Sequence, residues 1–164
     1  MLSLIERERI DKAATQAPDR RSVVCDALMV VQEARGWVSD QALAEVAEAL
    51  GMSRDEVEGV ATFFELVFRR SVGKHVILIC DSVSCWIKGY EALLSQLRAR
   101  LGIGPGETTS DGMFNLLPAG CLGACDKAPA MMVDEELFVG VDEAALDRIL
   151  EGFRDGGHGN AAHR

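Results

Sequence analysis

From the N-terminus to about residue 72, apolar positions recur every three or four residues, the spacing of amphipathic helices. Ser3-Leu4-Ile5-Glu6 is a capping-box sequence, in which a serine oxygen and a glutamate carboxylate satisfy amide donors that a helix start leaves free. Val24, Ala27, Leu28 and Val31 form the i, i+3, i+4, i+7 stripe of a second helix, which Gly36 ends. Ser39 caps a third, with Leu43, Val46, Ala47 and Leu50 on one face and Gly51 at its close. Ser53-Arg54-Asp55-Glu56, another capping box, opens a fourth helix expected to turn Val57, Val60, Ala61 and Phe64 inward. Four such helices joined by short turns predict a bundle over residues 1–72.

At Lys74 the period changes. His75-Val76-Ile77-Leu78-Ile79 is a short apolar run rich in β-branched residues, read as a buried strand. A helix is predicted from about Trp86 to Leu101, with Leu93, Leu94, Leu97 and Leu101 on its inner face. Asp111-Gly112 leads into a strand near Met113 to Leu117. Ala130 to Val133 and Leu137 to Val139 form a hairpin turned at Asp134-Glu135-Glu136. Asp142 caps a last helix with Ala145, Leu146, Ile149, Leu150 and Phe153 inside. The order β-α-β-β-β-α over residues 73–154 is the thioredoxin-like arrangement, so the chain reads as α+β. A tail over residues 155–164, rich in Gly and His, is expected to be flexible.

Composition narrows the function classes. The chain has 164 residues, of which 26 are acidic and 17 basic, for a net charge of −9. That acidity argues against a nucleic-acid partner, which calls for a basic footprint. An apolar fraction of 48% excludes a disordered tail and suffices for a core. No apolar run is long enough to insert into a membrane, and the N-terminus lacks the apolar stretch of a signal peptide. A cytoplasmic protein is therefore expected, where thiols stay reduced. There, five cysteines point to metal or redox chemistry.

Four of the five come in two pairs. Cys80 and Cys85 stand in C-x4-C, and Cys121 and Cys125 in C-x3-C, each pair in a loop after an apolar run. Two pairs of thiolates can hold one tetrahedral zinc or one iron–sulfur cluster. Zinc ribbons favour C-x2-C; the wider spacings suit a [2Fe–2S] cluster, each pair serving one iron, and zinc stays open as the alternative. No C-x-x-C exists, so disulfide exchange is rejected. Gly120, Gly123 and Ala124 keep side chains away from the second loop, so that peptide N–H groups can approach anionic sulfur. Asp81 and Asp126 beside the ligands, and the excess of acids over bases after residue 74, disfavour adding an electron and predict a low potential.

Around these loops the sequence resembles a known family. The motifs C-D-S-V-S-C from Cys80, Gly89-Tyr90-Glu91, and L-P-A-G-C-L-G-A-C-D-K-A-P-A-M-M-V-D from Leu117 are similar to those of the thioredoxin-like [2Fe–2S] ferredoxins. Gly36-Trp37-Val38 and Val57-Glu58-Gly59-Val60-Ala61-Thr62-Phe63-Phe64 resemble the helical part of the same family, and the likeness spans about residues 20–152. It implies that Cys80, Cys85, Cys121 and Cys125 ligate one [2Fe–2S] cluster. It further implies a subunit of the NADH-oxidising module of NADH–quinone oxidoreductase (respiratory complex I), with no independent active site in this chain. FMN and NADH would then sit on a partner flavoprotein subunit, with which this chain exchanges one electron. Further subunits of the peripheral arm would complete the assembly, at the cytoplasmic side of the inner membrane. An NAD-reducing hydrogenase or an NAD-dependent formate dehydrogenase is the alternative host. A zinc-stapled interaction module is the alternative of a different class.

The remaining candidates read more plainly. Cys25, on the second helix, is expected to pack as a small apolar residue. Met131-Met132 is expected in strand core, and Trp86 is expected to shield the cluster, against an alternative of stacking at an interface. His75 opens a strand, with a proton-coupled role as the lesser reading, and His158 and His163 are expected in solvent. Arg69, Arg70 and Lys74 read either as a solvated linker or as a basic patch meeting an acidic partner. Gly102 to Gly106 is a turn, because it lacks the full G-x-G-x-x-G and follows a helix. No nucleotide fingerprint is present, so this chain is not expected to bind NADH alone.

Overall fold

A computed structural model describes residues 1–156, and the tail with His158 and His163 lies outside them. The chain divides into two compact units, Met1–Ser71 and Val72 onward. None of the described helices is long and apolar enough to cross a membrane.

The first unit is helical: α1 Leu4–Gln16, α2 Val24–Arg35, α3 Asp40–Leu50 and α4 Arg54–Phe63, with a 3-10 turn over Arg20–Val23. Both capping boxes form, at Ser3/Glu6 and Ser53/Glu56, and Ser39 caps α3. The core holds the expected stripe of α2 together with Leu43, Val46, Ala47 and Leu50 of α3. Cys25 packs half-buried against it, and burial raises its thiol pKa, as suits an inert packing residue. Phe64 departs from expectation. The helix ends at Phe63, and Phe64 turns to extended backbone, which takes it off the inward stripe and leaves it exposed beside Phe63 and Leu66.

Buried polar groups fix the segment after α4. Gln32 donates through Nε2 to the Leu66 carbonyl at 2.8 Å and accepts from the Phe68 N–H at 2.6 Å. Arg69 is no linker residue: it pairs with Asp40 at 2.7 Å and Glu58 at 2.8 Å, and donates to the Val38 carbonyl. Glu6 is buried, accepts the Ser3 N–H and forms a two-pronged pair with Arg35 at 2.7 and 2.9 Å.

The second unit holds a four-stranded sheet in the order β2-β1-β3-β4, built from β1 His75–Cys80, β2 Phe114–Ala119, β3 Ala130–Val133 and β4 Glu136–Val139. β1 runs parallel to β2, and β3 is antiparallel to both β1 and β4. The parallel pair needs a crossover, supplied by α5 Val83–Lys88 and α6 Tyr90–Leu101; α7 Glu143–Arg154 completes the unit. All six residues of β1 are buried, as a central strand requires. Leu93, Leu94, Leu97 and Leu101 of α6 and Leu146, Leu150 and Phe153 of α7 pack into one core with Phe114, Leu116 and Met131.

The single helix expected over 86–101 is two. Gly89 has φ +127, a conformation that L side chains rarely adopt, and it breaks the run. The extra piece, α5, starts three residues earlier than expected and lies inside the first cysteine loop. The hairpin turn is also tighter than expected, since Glu136 already pairs with Val133. His75 is buried between Phe114 and Phe153, with Nδ1 at 2.7 Å from Asp134. It stands at the far end of β1 from Cys80, about 16 Å along the strand.

Two tests address this framework. The Arg35 guanidinium holds the Glu6 carboxyl down at about 2, against an ordinary 4.5. A depressed folded value gives stability that is complete above the unfolded pKa and lost as pH falls through the folded one. Glu6→Gln keeps an acceptor for Ser3 but loses the charge, and is expected to cost the full chain about 1–3 kcal/mol near neutrality. Urea unfolding followed by circular dichroism should show the wild-type advantage shrinking between pH 4.5 and 2. Gly73 lies so close to β2 that an added Cβ would stand 2.8 Å from the Phe114 carbonyl carbon. Gly73→Ala is therefore expected to lower the urea midpoint by the equivalent of about 1–3 kcal/mol.

Candidate metal centre

The strand register brings the two cysteine loops together. Cys80, the last residue of β1, pairs with Ala119, the last residue of β2. The ladder continues one step, with the Asp81 N–H donating to the Ala119 carbonyl at 3.0 Å. Gly120 and Cys121 follow directly, so both loops leave the sheet at the same edge. β3 runs the other way and starts at this edge, with Met131 beside Ile79. Just before it, a 3-10 turn over Cys125–Lys127 and a cis Ala128–Pro129 bond carry the chain back to the sheet.

The first loop is anchored in the core. Cys80 and Cys85 are buried with Ala130, and Leu122, Ala124 and Ala128 pack against them. Cys85 lies in the first turn of α5, and its thiol meets that of Cys80. Burial pushes the Cys85 thiol up, Cys80 adds to this, and the Ala130 N–H opposes it. The second loop is open: Cys121 and Cys125 are exposed, with their sulfurs 3.3 Å apart. The Gly123 N–H donates to the Cys121 sulfur at 3.4 Å, with φ +83 at the glycine aiming that amide inward. This N–H, then the Cys125 thiol and the Ser82 hydroxyl, pull the Cys121 thiol down. Cys121 pushes the Cys125 thiol up, and the nearby Ser84 hydroxyl opposes this.

The four thiols thus form two pairs, and Cys125 also senses the charge of Cys80. Among the described residues, no three His, Cys, Asp or Glu side chains are placed to hold a single metal ion. Four sulfurs in two pairs, with N–H and O–H donors around them and small residues at Gly120, Gly123, Ala124, Ala128 and Ala130, fit the demands of a [2Fe–2S] cluster. Cys25, Met131 and His75 all lie in packed cores or at the far strand end.

Trp86, expected as a shield, is more than half exposed. It lies on the outer face of α5 with Val83 and Ile87, and its ring stacks on Tyr90 at 5.4 Å. The two serine hydroxyls are the site groups that sequence reasoning missed. A serine before a helix is read as an N-cap, yet Ser82 makes no side-chain cap bond to α5. The one available signal was the alternation S-V-S between two ligands.

Known proteins match this arrangement. The E subunit of NADH-quinone oxidoreductase from Pseudomonas aeruginosa is 44% identical over 153 residues, covering 93% of this chain and 92% of that one. Its counterpart in Escherichia coli K12 is 46% identical over 153 residues, again covering 93% of this chain and 92% of that one. The structure of an NAD+-reducing [NiFe]-hydrogenase in the H2-reduced state superposes with a TM-score of 0.69 at 28% identity, over 81% of this chain and 22% of that chain. The family profile for thioredoxin-like [2Fe–2S] ferredoxins spans residues 10–154, nearly all that the structure describes, and the chain belongs to that family.

Proposed function

We propose that Cys80, Cys85, Cys121 and Cys125 hold one [2Fe–2S] cluster, and that the chain exchanges single electrons with FMN on a flavoprotein subunit of NADH–quinone oxidoreductase. Family membership and the quinone-enzyme relatives make one such cluster the cofactor, and electron transfer in an NADH-oxidising module the role. The convergence of two thiol pairs at one sheet edge carries the ligand assignment. When bound, the cluster supplies a one-electron couple. The chain's own residues set its surroundings. Cys80, Cys85 and Ala130 close off the core side, while exposed Cys121 and Cys125 leave the opposite side open to a redox partner. Beside them Val83, Trp86 and Ile87 are 74%, 56% and 75% exposed, an apolar face suited to a protein contact. We place the chain in the peripheral arm on the cytoplasmic side, held there through the complex.

The hydrogenase likeness supports a second host, the diaphorase part of an NAD-reducing hydrogenase, but relatives from the quinone enzyme, matched over nearly their whole length, favour that enzyme. Purification under mild conditions decides between them, through co-purifying quinone-module or hydrogenase subunits. Recovery without any flavin subunit would argue against both. Metal analysis of the purified chain is expected to give a brown protein with two irons and two acid-labile sulfides per chain. A colourless protein with one zinc would sink the cluster reading. Cys121→Ser is expected to abolish or severely disturb the visible spectrum, and an unchanged spectrum with full iron would remove Cys121 from the ligand set.

A further inference from the structure

The open ligand loop is held from a part of the chain that carries no ligand. It leaves the sheet after Ala119, where the Asp81 N–H donates to the Ala119 carbonyl at 3.0 Å. It returns through the 3-10 turn Cys125–Lys127, in which the Lys127 N–H closes on the Ala124 carbonyl at 3.1 Å. At this returning end the tie is Gly140, just past β4. Its N–H is shared between the Lys127 and Pro129 carbonyls, each at 2.9 Å. The bond to Pro129 continues the β3–β4 ladder one step beyond Ala130 and Val139. The bond to Lys127 reaches past the strand into the ligand turn. Gly140 has φ +57, a conformation that L side chains rarely adopt. A Cβ there would stand 3.9 Å from the Lys127 carbonyl oxygen, an ordinary contact, so conformation and not space calls for glycine. β4 is paired on one side of this residue, and α7 is packed into the core on the other. A residue that leaves the left-handed region must therefore turn the peptide between residues 139 and 140, and the N–H turns with it.

We infer that Gly140 is a positioning residue for the cluster: its shared amide holds the Cys125–Lys127 turn at the sheet edge and so sets how firmly the exposed thiol pair grips the metal. The inference rests on the cluster reading above. Cys80 and Cys85 are held by burial with Ala130. Leu122 and Ala124 of the open loop pack toward that cluster of side chains, but Cys121 and Cys125 themselves are exposed. Their place depends on the backbone bonds at the ends of their loop, and a segment held by few bonds is the first to open. Cys125 is the ligand nearer to the tie. It begins the turn whose last carbonyl Gly140 holds, and its sulfur stands 3.3 Å from that of Cys121. Opening of this loop would bring water to iron and sulfide, so loss of the tie is expected to speed loss of the cluster.

The test is iron release from the cluster-loaded full chain to excess chelator under native conditions, followed by visible absorbance, with electron paramagnetic resonance of the reduced state alongside. Gly140→Ala is expected to release iron about fivefold faster than wild type, because a Cβ disfavours the left-handed conformation. Gly140→Asn, whose side chain tolerates that conformation, should bring the rate back to within about twofold of wild type. Gly102→Ala is the control for a purely structural effect. Gly102 has φ +68 at the close of α6, in the same unit, with nothing near an added Cβ. It should lower the urea midpoint as Gly140→Ala does, yet keep the wild-type release rate and reduced-state spectrum. Failure of Gly140→Ala to load, with Gly140→Asn and Gly102→Ala loading fully, is the same loss in stronger form. A wild-type release rate in Gly140→Ala, or an equal effect of Gly102→Ala, would overturn the inference and leave the cluster reading standing. A wild-type chain that holds zinc in place of iron and sulfide would overturn both.

Discussion

Everything at this site depends on the parallel pairing of β1 with β2 and on its register. His75 opposite Phe114 fixes Cys80 opposite Ala119, and the chain then has nowhere to send the two loops except past the same edge. A shift by one residue would turn every side chain of the strand to the other face. Ile77 and Ile79 would leave the core they share with Leu116 and Met131, and Cys80 would turn to the opposite face of the sheet. The core therefore enforces the geometry of the site: the apolar side chains that hold the register also hold the distance between the first and second cysteine pairs. Ligands are found outside the carboxyl ends of parallel strands in many open sheets, and the thiol pairs stand in that position here.

Around the thiols the local chemistry pulls in opposing directions. Carboxylates crowd the second unit, and burial of Cys80 and Cys85 removes water that would screen charge. Amide donors come from different elements: Gly123 from the open loop and Ala130 from the start of β3. The Gly123 amide is free to meet sulfur because it lies outside any strand or helix ladder that would consume it. Irregular backbone is the physical condition for having free donors here. The 3-10 turn over Cys125–Lys127 and the left-handed Gly123 are that irregular backbone.

Much of this was legible in the sequence, and the reasons differ by element. Capping boxes announce helix starts because they satisfy donors locally, so Ser3, Ser39 and Ser53 were readable without tertiary structure. The spacing of the thiol pairs, with the small residues beside them, pointed to the site. Local rules failed where a residue serves a distant partner. Phe64 continues the helical stripe on paper, but the chain turns away so that Gln32 can bind the Leu66 and Phe68 backbone. Arg69 looked like a spare charge between units, yet its partners Asp40 and Glu58 lie on two different helices. Ser82 looked like any N-cap. Gly89 is a tolerable residue within a helix, and nothing in the periodicity of residues 86–101 says that its φ is positive.

The unequal burial of the two cysteine pairs divides the chain's freedom to vary. Ile79, Cys80, Cys85 and Ala130 answer at once to packing and to the thiols, so a substitution there is judged twice. The side chains of Asp126 and Lys127, exposed on the other side, lie outside the core, so packing does not resist a change of charge or size there. Homologous chains can therefore drift in potential through the open loop while keeping one fold. The anchored half sets what the protein is, and the open half sets how readily it takes an electron.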